Sequence, residues 1–117
     1  MKRITVYWCD EMPESRAKKL TEEEMMDWNE VACSYKTFTH SASKADIIID
    51  SQEKLESVVK DFEKDLKEEK EDIVVAGGTI GLWEGKDEHS LENVDMIDVG
   101  SYRDIVRELK GLKDWLK

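Results

Sequence analysis

Two histidines, His40 and His89, are the only side chains of this chain whose ordinary titration suits acid–base work near neutral pH. Each has hydroxyl or acidic neighbours, such as Glu88 and Ser90 beside His89. Neighbours of that kind occur by chance wherever charge is dense. A metal site asks for converging ligands. Cys9-Asp10-Glu11 or Asp87-Glu88-His89 would supply two or three, without the spacing of a zinc site or an EF-hand loop. A phosphate loop asks for G-x-x-x-x-G-K-[ST]; Gly81 and Gly85-Lys86 stand one residue too close, and Asp87 replaces the hydroxyl. The reactive residue types thus predict no catalysis, no metal and no cofactor.

Charge is what remains. The chain has 117 residues, 39% charged and 39% hydrophobic, with a formal net charge of −10. That balance disfavours direct contact with nucleic acid or an anionic membrane, both of which need a basic patch. No apolar run approaches a membrane span. The carboxylates fit either simple solubility or a partner protein with a basic groove. Two groups are the binding candidates: Asp61, Asp65, Glu68 and Glu69 on the outer face of a long helix, and Asp87, Glu88, Asp95 and Asp98 near a glycine-rich bend. Trp83, set between glycines and a charged loop, is the tryptophan to watch for exposure, the glycines themselves reading as a bend beneath a packed Trp83, while Trp8, Trp28 and Trp115 sit on apolar stripes and read as core.

The elements that must position these groups form one α+β domain over residues 1–117, a small mixed or antiparallel sheet packed against two or three helices. Its organising stretch is residues 72–85, DIVVAGGTIGLWEG. The unalternating run from Ile73 to Ala76 predicts a strand covered on both faces, and Gly77-Gly78 a bulge or bend before the strand resumes. Residues 2–9 alternate as a strand, with Ile4, Val6 and Trp8 on one face and Thr5, Tyr7 and Cys9 on the other. A loop is expected after Pro13 to about Leu20. Thr21 and Glu24 form a capping-box pattern for a helix over residues 22–32, and residues 35–40 look like an edge strand. Ile47, Ile48 and Ile49 favour a short strand. Ser51 then caps the clearest helix, with Leu55, Val58, Val59, Phe62 and Leu66 as its stripe. Glu56–Lys60 and Glu63–Lys67 have the spacing of stabilising pairs along it. Residues 86–93 read as a loop and residues 94–99 as a last strand. Ser101 opens a helix carrying Ile105, Leu109, Leu112 and Leu116 to the end of the chain.

Gly78-Thr79-Ile80-Gly81-Leu82-Trp83-Glu84-Gly85-Lys86 resembles the GT-[IL]-GLW-[DEN]-G-[KR] stretch of small, acidic, uncharacterised proteins from phages and mobile elements of Firmicutes. The resemblance covers the C-terminal third. Such proteins usually continue into a hairpin ending in His-His-Asp-Gly, which this sequence lacks. The resemblance implies a provenance and no activity. With the charge, it leads to the expectation of a non-catalytic binding protein, an inhibitor whose carboxylates occupy the basic nucleic-acid channel of a host or defence protein, as an anti-CRISPR protein would. The alternatives are a small-ligand module with a pocket at the glycine bend and Trp83, and an assembly protein pairing along residues 35–40. Cys9 and Cys33 are expected to be thiols in a reducing cytoplasm.

Overall fold

A computed structural model describes residues 2–36, 45–84 and 94–117, excluding the side chains of residues 32–36. Five antiparallel strands and four helices make one α+β domain. The chain runs β1 (Lys2–Tyr7), β2 (Asp10–Pro13), α1 (Glu14–Ala17), α2 (Glu22–Lys36), β3 (Ile47–Ile49), α3 (Gln52–Glu69), β4 (Ile73–Glu84), β5 (Asp95–Ser101) and α4 (Tyr102–Gly111).

The glycine-containing strand β4 is the centre of the sheet. β1 and β2 follow one another along one edge, from Lys2 opposite Glu84 to Pro13 opposite Ile73, and β5 occupies the other edge. β3 extends the sheet beyond β1. The register with β5 slips between Val74 and Gly78, and Gly77 lies there at φ 61°, a left-handed conformation that glycine adopts without strain. The expected bulge is therefore real. It is confined to the β5 side, since Tyr7 opposite Thr79 and Asp10 opposite Ala76 belong to one unbroken register.

Alternation along β1 and β4 gives the sheet two covered faces. Ile4, Val6, Ile80 and Leu82 meet Leu55, Val58, Val59 and Phe62 of α3 and Ile105, Val106 and Leu109 of α4 in the main core. Thr5, Tyr7, Thr79 and Trp83 are buried on the other face. There α2 lies against β4, and Asn29 and Asp98 line one hollow. Local chemistry sets the helix starts: the Ser51 hydroxyl accepts from Lys54 N and the Ser101 hydroxyl from Asp104 N. Thr21 Oγ1 accepts from Glu24 N at 3.2 Å.

The structure corrects several expectations. The segment around Pro13 is not a loop: it is a four-residue strand followed by one helical turn. Proline is tolerated at that junction because it ends the strand and precedes the helix, where its missing N–H is not needed. Helix α2 runs to Lys36, so Tyr35 and Lys36 are helical instead of opening an edge strand; the rest of residues 35–40 lies outside the described residues. Helix α4 ends at Gly111, and Leu112 and Leu116 complete the core from the turns beyond it. Glu56 and Glu63 do not pair along their own helix. They reach across to Lys113 at 3.9 Å and Lys110 at 3.5 Å, because α4 packs beside that flank of α3.

Candidate functional site

Helix α3 has two charged flanks with different fates. The flank toward α4 carries Glu56 and Glu63, neutralised by lysines of the neighbouring chain segment. The opposite flank carries Asp61 and Asp65, one helical turn apart, and neither has a cation within 4.0 Å among the described residues. Both are exposed, as are Glu68 and Glu69 further along; Glu68 lies 4.0 Å from Lys64.

Asp61 and Asp65 border an aromatic cluster built from three separate elements. Phe62 projects from α3 into the core, Tyr102 opens α4, and Trp8 follows the end of β1. Their ring centroids are 5.0 Å apart for Phe62–Tyr102, 6.1 Å for Trp8–Phe62 and 6.2 Å for Trp8–Tyr102, all edge-on. Phe62 is buried, whereas Trp8 and Tyr102 are half-exposed and leave a hollow of about 300 Å³ between the rings and α3. Lys54 is the one cation among the residues lining it.

Two further carboxylates, outside the residues that line the hollow, bond its aromatic residues. The Tyr102 hydroxyl donates to Glu11 Oε2 at 2.5 Å, and Asp46 Oδ2 accepts from the Trp8 backbone N–H at 2.8 Å. Burial, the bond to Glu11 and the charges of Glu11, Asp65 and Asp46 hold the Tyr102 phenol well above its ordinary value of 10.0. Acidic groups from β2, from the residue before β3 and from α3 thus act on one tyrosine. The arrangement sets the half-exposed Trp8 and Tyr102 rings beside the exposed carboxylates of Asp61 and Asp65, a surface for a cation and not for an anion.

The other predicted site residues do not join this cluster. Asp98 stands opposite Thr79, on the sheet face away from α3, and Asp95 is exposed opposite Leu82 on the outer strand β5. Asp87 and Glu88 lie outside the described residues, as do His40 and His89. Trp83, the tryptophan watched for exposure, is wholly buried, in line with the reading of a packed Trp83 over the glycines. Its indole N–H donates to Thr5 Oγ1 at 2.8 Å, and the Arg3 guanidinium lies 5.8 Å from its ring centre. A hollow of about 310 Å³ does border Gly77 and Gly78, but its walls are Asn29, Asp98, Val99 and Gly100, without Trp83. The three tryptophans assigned to the core are half-buried: Trp8 and Trp115 pack against the margin of the main core, with Lys2 over Trp115, whereas Trp28 is not part of that cluster and its Nε1 donates to Asp10 Oδ2.

Sequence reasoning missed Trp8, Tyr102, Glu11 and Asp46 as parts of one site. Glu11 and Tyr102 are 91 residues apart, and no local spacing signals their meeting. Among the described residues no group of three or more His, Cys, Asp or Glu side chains is placed to hold a metal ion, and no helix is long and apolar enough to cross a membrane. No family model, curated protein or solved structure matches the chain.

Proposed function

We propose that this is a non-catalytic acidic binding protein whose carboxylate surface occupies a basic, nucleic-acid-binding surface of a partner protein. The observation that carries the reading is the asymmetry of α3: two of its glutamates are answered by lysines of the α4 side, while Asp61 and Asp65, beside Trp8 and Tyr102, have no cation within 4.0 Å among the described residues. Unpaired carboxylates on a chain of net charge −10 steer a basic partner over long range and hold it through many weak contacts. The likeness of the GTIGLWEGK stretch to proteins of phages and mobile elements supports an inhibitor of a host or defence protein, acting in the cytoplasm.

The test is retention of basic nucleic-acid-binding proteins on the immobilised chain at low salt, followed by challenge with duplex DNA. The proposal expects DNA to displace the captured protein, and retention to fall steeply as salt rises. Capture that DNA does not compete for, or that persists at high salt, contradicts it.

A further inference from the structure

Resting on that reading, we propose that the hollow between Trp8, Tyr102 and α3 receives a single arginine side chain of the partner protein, stacked on the exposed aromatic surface and bonded to Asp61 and Asp65. The hollow differs from a general acidic surface in having a floor. Phe62 closes it from beneath, 5% exposed, and the Trp8 and Tyr102 rings stand at 60° to each other above it. A cation entering there exchanges water for ring faces, where a desolvated charge is held more strongly than on an open surface.

Three features favour a guanidinium over an ammonium. Its plane lies flat on an indole or phenol ring. Its fork of N–H donors can serve two acceptors at once, and Asp61 and Asp65 present carboxylates one turn apart at the same rim. Its weaker hydration lowers the cost of leaving water. Lys54, on the same wall, is a single point charge facing two lining carboxylates, Asp61 and Asp65, neither of which has a cation within 4.0 Å among the described residues. The Tyr102 hydroxyl is already committed to Glu11, so the ring is held in place before any ligand arrives.

The experiment compares two peptides of equal charge, one alternating arginine with glycine and the other lysine with glycine. Each is titrated into the intact protein at low salt while the indole N–H signals of the tryptophans are followed by NMR. The proposal expects the Trp8 signal to move and that of buried Trp83 to stay. It expects the arginine peptide to bind about tenfold more tightly, and Asp61→Asn with Asp65→Asn to erase the preference. Both substitutions are at exposed positions and spare the core. Equal binding of the two peptides with Trp8 unmoved overturns the arginine site and leaves the acidic-surface reading standing. If neither peptide binds, both fall.

Discussion

The indole N–H of Trp83 donates to the hydroxyl of Thr5 across 2.8 Å, at a point where both side chains are wholly buried. Gly81 makes the bond possible. A Cβ there would stand 2.6 Å from Thr5 Oγ1 and 3.0 Å from Trp83 Nε1. The Gly-Leu-Trp part of the sequence motif is therefore a packing device: glycine opens the space, leucine enters the main core and tryptophan fills the opposite face. Gly81→Ala is expected to destabilise the fold by about 1–3 kcal/mol through overpacking. Thr5→Val, which keeps the shape and strands the indole N–H, should cost about 1–3 kcal/mol as well. Urea denaturation of each variant checks both, and an unchanged midpoint would deny the packing role.

Asp72 is the second such device. Its buried carboxylate accepts from its neighbour Ile73 N at 2.9 Å and from Arg103 N at 3.2 Å, tying the start of β4 to the first turn of α4. An anion at a helix N-terminus also meets the positive end of the helix dipole. Asp72→Ala leaves those amides without their acceptor and is expected to cost about 1–3 kcal/mol. Thermal unfolding measures it, with Asp98→Ala, an exposed carboxylate on β5, as the comparison that should stay within about 0.5 kcal/mol.

Tyr102 gives the fold an alkaline limit. Burial, Glu11 and the surrounding carboxylates raise its folded value above 10.0, and burial raises Tyr7 in the same direction. Below about pH 10 both tyrosines are protonated whether the chain is folded or not, and their contribution is intact. Above it the unfolded chain releases the protons first, so stability is lost as pH rises through the folded values. Unfolding measured from neutral pH to above 10 should show this decline, and Tyr102→Phe should make it shallower. An identical alkaline decline in Tyr102→Phe would count against the environment described for the phenol.

The lysines of the α4 side are expected to add little to stability. Lys110 and Lys113 meet exposed glutamates at 3.5 and 3.9 Å, and pairs of that kind contribute about 0–1 kcal/mol each. Lys110→Met with Lys113→Met should shift the denaturation midpoint only slightly. A loss well beyond that range would give these pairs a larger part in joining α3 to α4.

Much of the fold was readable from residue order. Alternation from Ile4 to Trp8 located the first strand and its two faces. Three consecutive isoleucines marked β3, and the hydroxyls of Ser51 and Ser101 marked two helix starts. Gly77 announced the bulge. These signals are local, and the physics behind them acts within a few residues. What was misread or left open depends on distant partners. Trp83 stands among glycines and charges in sequence, which left exposure and packing both open, and it is Thr5 and Arg3 that enclose it in space. Glu56 and Glu63 had suitable lysines on their own helix, but α4 brought others within reach. The candidate site was half legible: Asp61 and Asp65 could be placed on an outer helix face by periodicity alone. The aromatic hollow beside them could not, because it is assembled from three elements whose meeting only the folded topology decides.

The central claim is that carboxylate position on α3, and not total charge, creates the binding face. Two double variants remove equal charge from the same helix: Asp61→Asn with Asp65→Asn, and Glu56→Gln with Glu63→Gln. Their affinities for the arginine peptide, measured by calorimetry at one low salt concentration, should differ sharply. The first pair is expected to weaken binding about tenfold or more, and the second to leave it within about twofold. Equal losses in both would mean that net charge alone attracts the ligand, and the account of a defined face would be contradicted.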